Sequence, residues 1–384
     1  MSSIIDWLSQ YRYFNYTVNT DLEDFLTSYH RVIAFISIAA NILHFYLIVE
    51  AKTFYTRGYR FSLLLLQVWF IALNIHLSLL SIPFPLYPLF GAYSRGLFGT
   101  HLNISFHYQM VILIFIVDEC IASLLMTALF RQQSLLLGGR FKLNNIQLVL
   151  LIIALHISLA VNAFIFAFIE LDLKDQHFLL STRYPGLAWI SSHGFVWAAY
   201  AWNAGSFYFI LSIFFQCVFI GSFAILVVRY TIMTVRRQRK IIAKRKDVRL
   251  TMKVRRIDTL VISQACCPSI QFTRIYHMIT AILFMLLPLL TIGISLFGYL
   301  PYYISWSAIA AMASHSFVNS CVIVLLNPKY MELLREKVLS LIENRPQRWE
   351  YNQRVFSFQV QRRNGNSNRT ITSVIPILVL TPVE

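Results

Sequence analysis

Asp118 and Glu119 are the residues of this chain whose placement most requires a chemical explanation. They stand side by side inside an apolar run, 104–130, and are the only acidic residues deep in any such run. An acid in hydrocarbon costs ~2.5–3.5 kcal/mol on insertion scales, so one that persists there has a partner or a task. At ~1.5 Å per helical residue the pair lies roughly 20 Å from Arg131 at the end of the run, near the middle of a bilayer. Two tasks fit a carboxyl there: a hydrogen bond to a neighbouring helix, with Asn162, His156 and His76 as candidate partners, or contact with a small molecule. Successive helical residues diverge by about 100°, so at most one of the two points squarely into a central cavity. Tyr108 and His76 join Asp118 and Glu119 as candidate ligand contacts.

Other chemistry is poorly served. His44, His76, His107, His156, His277 and His315 are scattered singly through apolar runs, where a lone imidazole is more often a structural partner than a metal ligand. Of the five cysteines, Cys120, Cys217 and Cys321 lie in apolar runs, and Cys266–Cys267 is an adjacent pair rather than a C-x-x-C motif. No metal, cofactor or catalytic set is expected.

The elements that must position these residues are membrane spans. The chain is 57% hydrophobic and only 13% charged, about half the charged share of a soluble domain, and several of its apolar runs reach the ~20 residues that cross a bilayer. Seven spans are expected, at about 29–49, 61–82, 104–130, 146–169, 205–228, 275–297 and 303–326. They form an all-α transmembrane bundle over 29–326, preceded by an outer segment, 1–28. That segment lacks the apolar core of a cleavable signal peptide, so the first span is expected to act as its own insertion signal. Pro83, Pro85 and Pro88 stop the second helix and make a rigid apolar cap, a candidate outer mouth of a cavity. Asn41 is the one strongly polar residue inside the first span, expected to bond another helix. Pro288 is expected to kink the sixth span. After the seventh, Tyr330, Met331, Leu334, Val338 and Leu341 recur at helical spacing, which predicts an amphipathic helix over 327–343 on the inner membrane face. The polar remainder, 344–384, reads as disordered.

Charge fixes the orientation. The net charge of +16 resembles a nucleic-acid binder until it is mapped, for it concentrates in the connections between spans. Thirteen of the 33 Lys and Arg lie in 229–274, a basic third inner loop that includes Arg236, Arg237, Arg239 and Lys240. With the N-terminus outside, inner segments hold 28 of these residues and outer segments 5; without the long tail the ratio is still 19 to 5. Basic residues stay on the cytoplasmic side, so the N-terminus is placed outside and the C-terminus inside. The excess charge then answers to topology and anionic lipid rather than nucleic acid. Glycosylation sequons at Asn15 and Asn103 fall on the outer side; that at Asn368 falls in the inner tail.

Seven spans, this orientation, a basic third inner loop and a helix after the last span describe a G-protein-coupled-receptor-like architecture. Four stretches sharpen it: Gly58-Tyr59-Arg60 running on to His76-Leu77-Ser78 and the proline stretch through Pro88; Phe130-Arg131-Gln132-Gln133; Tyr184-Pro185-Gly186-Leu187-Ala188-Trp189-Ile190; and His315-Ser316-Phe317-Val318-Asn319-Ser320 with Asn327-Pro328-Lys329-Tyr330. In that order they resemble the serpentine chemoreceptors of nematodes, most closely the Sri class, with Srh as near neighbour, over about 58–330. The resemblance implies a plasma-membrane receptor of sensory neurons or cilia for an odorant- or pheromone-type small molecule, signalling through a heterotrimeric G protein. It gives Arg131 and the Arg236–Lys240 cluster the role of G-protein contacts. Arg131 lacks the acidic neighbour of the Asp-Arg-Tyr motif, and Asn327-Pro328-Lys329-Tyr330 is one residue shorter than Asn-Pro-x-x-Tyr. Residues 246–273 exceed the loop length expected of the family and look like an insertion or a misjoined coding segment. A seven-span transporter or an intramembrane enzyme is the alternative. The first should show repeats or paired broken helices, the second converging His and acidic residues.

Overall fold

The computed structural model describes residues 19–51, 57–86, 89–135, 143–169, 173–183, 185–187, 189–192, 195–200, 204–244, 287–295 and 302–342. The chain divides after Leu333, and of the second unit only the helical turns through Ile342 are described. The tail expected to be disordered, the second half of the basic loop and the outer segment 1–18 lie outside the described residues.

Asn19 starts the first helix: its Oδ1 accepts from Leu22 N–H at 3.1 Å, and Asp21 and Glu23 place negative charge at the positive end of the helix dipole. Helix α1 then runs over Thr20–Glu50. Helix α2, Arg57–Ile75, passes directly into a π-helical stretch, His76–Leu80. Helix α3 is Phe106–Leu135. Helix α4, Asn145–Ala167, opens with a capping box in which Asn144 Oδ1 accepts from Gln147 N–H at 2.7 Å and Gln147 Oε1 accepts from Asn144 N–H at 3.1 Å. Helix α5 is Ala204–Lys244, helix α6 is described over Leu287–Ser295, α7 is Tyr302–Leu326 and α8 is Pro328–Ile342. Six helices, α1 to α5 and α7, are long and apolar enough to cross a membrane by length and composition. The described part of α6 is nine residues, and Pro288 stands at its beginning, so the kink expected there falls where the described segment starts.

Neighbouring helices pack in sequence, α1 on α2, α2 on α3, α3 on α4 and α4 on α5, while α7 returns against α1 and receives α6 on another side. Aliphatic and aromatic side chains from α1, α2, α3 and α7 form the central core: Ile33, Leu66, Phe70, Leu73, Leu77, Ile116, Met312 and Ala313.

The expectation of an all-α chain is corrected beside the segments that follow α2 and precede α5. There a three-stranded antiparallel sheet forms from β1, Pro83–Pro85, β2, Gly91–Ser94, and β3, Val196–Ala199, in the order β1-β2-β3. Register pairs Phe84 with Tyr93 and Tyr93 with Trp197. The prolines do end the helix, but proline is also tolerated on an edge strand, where its missing N–H leaves no ladder bond unmade. Gly91 permits the close approach of β3, since a Cβ there would meet the Ala198 carbonyl at 2.6 Å. Ile82, with φ of 42°, turns the chain from the π-helical stretch into β1. Beneath the sheet Phe84, Leu86, Leu89, Tyr93 and Ile190 are fully buried against Trp306 of α7, whose Nε1–H donates to Pro85 O at 3.0 Å. Aromatic pairs contribute ~0.5–1.5 kcal/mol beyond their buried area, so this cap is held by side-chain packing more than by its short ladders.

Candidate functional site

Both intramembrane acids turn toward α4. Glu119 Oε2 lies 2.6 Å from His156 Nδ1, with the two side chains 9% and 20% exposed. Asp118, 4% exposed, bonds Asn162. Asn162 extends the connection to α5: its Nδ2 donates to Gln216 Oε1, and its Oδ1 accepts from Ser212 Oγ at 2.5 Å. Gln216 Nε2 also reaches the backbone carbonyls of Ser158 and Leu159, at 3.2 and 3.1 Å. These residues form a polar layer across α3, α4 and α5 in which one group stays open. Asp118 Oδ2 is buried and has no partner among the described residues. A buried acceptor without a donor costs about 1–3 kcal/mol, which a ligand hydroxyl or amine would recover.

A second polar layer joins α1, α2 and α7. Gln67 Nε2 donates to Asn41 Oδ1 at 2.5 Å and to Ser320 Oγ at 3.2 Å. Asn41 Nδ2 donates to Ser316 Oγ at 2.7 Å, and Ser320 Oγ donates to Asn41 Oδ1 at 2.7 Å. Asn41 is thus the helix-bonding residue its isolation in the first span suggested. Its partners Gln67 and Ser320 went unassigned in the sequence, where their only signal was polarity within an apolar run. His44, 3.4 Å from Ser320 Oγ, meets the buried Tyr330 ring edge-on at 5.8 Å, which fixes the start of α8 to α1.

The other candidate ligand contacts separate. His76 is buried in the π-helical stretch, where its Nε2–H donates to Gln109 O of α3 at 2.9 Å. Tyr108 is 54% exposed on the outside of the bundle and does not join Asp118, Glu119 or His76. Its neighbours His107 and Gln109 are the buried ones; His107 lies 3.1 Å from the Tyr200 hydroxyl after β3.

Toward the other end, Arg131 lies in the last turns of α3, and Arg236, Arg237, Arg239 and Lys240 lie in α5. Their side chains are outside the described residues. Helix α5 continues unbroken to Lys244, through the first part of the basic stretch 229–274, where the sequence reads as an extension of the fifth span over 229–245. Asn103 is exposed just before α3 with φ of 49°, a left-handed conformation that asparagine adopts more readily than most residues. Asn15 lies outside the described residues. Among the described residues no group of three or more His, Cys, Asp or Glu is placed to hold a metal ion.

No curated protein matches the chain. A family model described as "Serpentine type 7TM GPCR chemoreceptor Sri" matches residues 16–334, from just before α1 through the start of α8. This is a receptor family rather than an enzyme family, and its multi-pass membrane character agrees with the six long apolar helices. With both polar layers, the sheet and every described span inside the matched region, the chain belongs to the Sri family of serpentine seven-transmembrane G-protein-coupled chemoreceptors.

Proposed function

We propose that the protein is a plasma-membrane receptor that binds a small molecule from outside and activates a heterotrimeric G protein inside. The observation that carries this reading is the family match across 16–334. In this reading seven spans place the N-terminus outside, with 28 of 33 Lys and Arg on the inner side. Helix α8 lies along the inner leaflet, and its exposed Met331, Val338 and Leu339 suit that position. The ligand offers a hydrogen-bond donor to Asp118, and its binding shifts the population toward a state in which the inner ends of the fifth and sixth spans part. Arg131 and the Arg236, Arg237, Arg239 and Lys240 cluster then meet the G protein.

The test is a small-molecule screen in cells expressing the chain, read by cyclic nucleotide or calcium. An active compound is expected to lose its effect on Arg131→Ala, or when the four basic residues of α5 become Gln, at unchanged surface amount. Full signalling in both variants would remove these residues from the interface. Orientation has its own check. Asn15→Gln is expected to reduce a glycosidase-sensitive shift in mobility, Asn15→Gln with Asn103→Gln to abolish it, and Asn368→Gln to leave it unchanged; glycan on Asn368 would reverse the topology.

A further inference from the structure

Where α1 and α7 part, a cleft of about 330 Å³ opens on the side of the bundle. That volume falls within the range of small-molecule sites, roughly 300–1,000 Å³. Phe25, Leu26 and Tyr29 of α1 form one wall. Ser307, Ala310, Ala311 and Ser314 of α7 form the other, at the spacing of a single helix face. The aromatic wall thus faces side chains too short to fill the space between. Phe25 is 64% exposed and Ser307 is exposed, so among the described residues the cleft is open to the side. Both helices are long and apolar enough to cross a membrane, and the open side then faces lipid rather than water.

The hydroxyls of the cleft have their protons committed. Ser307 Oγ donates to Tyr303 O at 2.8 Å, and Ser314 Oγ donates to Ala310 O at 2.8 Å. The Tyr29 hydroxyl lies 2.6 Å from Ser314 Oγ; with the serine proton used on Ala310, the phenol is the donor. A hydroxyl has one hydrogen and two lone pairs. Ser307 and Tyr29 therefore keep lone pairs and no free hydrogen, so the side chains of the cleft accept a hydrogen bond and do not offer one. Ser307 marks the shallow end, about 8 Å from the start of α7, and the Tyr29–Ser314 bond closes the deep end, about 18 Å along.

A molecule that fills this space from the bilayer is apolar over two helical turns and carries a donor at its shallow end. Phospholipid chains have no donor at that depth, and their ester carbonyls only accept. A fused-ring alcohol has both properties, and its rigid body loses less freedom than a flexible chain when held between two walls.

We propose that the cleft between α1 and α7 is a sterol site, in which the sterol hydroxyl donates to Ser307 Oγ and the rings lie between Phe25 and the Ala310–Ala311 face, above the Tyr29–Ser314 bond. Such a site asks only that α1 and α7 cross the bilayer, and it is independent of signalling and of the contact at Asp118.

The full chain, purified by an N-terminal tag, is reconstituted in phosphatidylcholine vesicles with a photoreactive cholesterol analogue that keeps the ring hydroxyl, and labelled peptides are mapped by mass spectrometry. Saturable labelling is expected within 22–29 of α1 or 307–314 of α7. Cholesterol is expected to compete, and cholestenone, with a ketone in place of the hydroxyl, to compete about tenfold less well, the worth of one net hydrogen bond. Ser307→Ala, a small change at an exposed position, is expected to bring the two competitors together. Ala311→Leu fills the cleft and is expected to abolish the labelling; if that variant is not recovered folded, Ser307→Ala decides alone. Labelling only elsewhere, labelling retained in Ala311→Leu, equal competition by alcohol and ketone, or a preference that survives Ser307→Ala each overturn the sterol site. Equal labelling of the same peptides by a photoreactive phosphatidylcholine also overturns it, and makes the cleft ordinary lipid-facing surface.

Discussion

His156→Leu is expected to remove most of the protein from the cell surface, and adding Glu119→Leu is expected to restore much of it. The pair stands in the interior of two apolar helices, joined at 2.6 Å, with Glu119 nearly buried. Removing the imidazole strands a carboxyl group against α4. Removing one partner of a buried hydrogen-bonded pair leaves the other unsatisfied at a cost of ~1–3 kcal/mol or more, while replacing both partners with apolar side chains is often neutral. The desolvation of the orphaned group therefore outweighs the value of the bond itself, and the two substitutions are non-additive in a defined direction. Glu119→Leu alone is expected to be milder than His156→Leu, because a neutral imidazole, 20% exposed, is cheaper to leave unpaired than an acid. Surface amount by the N-terminal tag and thermal stability in detergent measure all three variants. Additive losses in the double variant would mean that the two side chains are not partners.

Asn41→Ala is expected to produce the second largest effect, a loss of roughly 2 kcal/mol. Interhelical hydrogen bonds in membranes average about 0.6 kcal/mol and reach about 1.7, and Asn41 makes three, to Gln67, Ser316 and Ser320. All four residues are buried, so water cannot replace what is lost. Ser316→Ala removes one of the three bonds and is expected to cost about a third as much. At roughly 2–4 °C per kcal/mol for a domain of a few hundred residues, Asn41→Ala should lower the melting temperature by several degrees. A shift no larger than that of Ser316→Ala would show that Asn41 is not the hub.

Much of this molecule was legible because hydrocarbon enforces simple rules. Every backbone group must be bonded within its helix, so apolar length alone located α4 and α7 closely, whereas α1 begins at Thr20 rather than 29 and α5 continues to Lys244 rather than ending at 228. A polar residue inside such a run must find a partner, which made Asn41, Glu119 and His156 stand out. What was hidden depended on direction and on distant pairing. Tyr108 and His107 differ by one residue and by about 100° of helix, and sequence alone does not tell which of them faces inward. The proline stretch reads as a helix stop, and nothing local indicates that β2 and the distant β3 will make it the edge of a sheet. Arg95 stood unremarked because its side-chain partners Glu23, Asp24 and Phe195 come from α1 and the approach to β3. The far end of α5 was legible as an extension of the fifth span over 229–245, sustained beyond the apolar run by helix propensity alone.

Helix α5 has a mechanical consequence. Its 41 residues make a rod about 60 Å long, while the hydrocarbon it crosses is about 30 Å thick. Within the bundle it is held loosely, with 11% of its apolar window buried against 61% for α7. A rod pivoting within the bilayer multiplies small rotations by its overhang. A tilt of about 10° would carry a tip about 30 Å from the pivot through roughly 5 Å. That tip bears Arg236 to Lys240, so under the proposed function a small rotation near the pivot would become a displacement of about a helical turn at the surface proposed to meet the G protein.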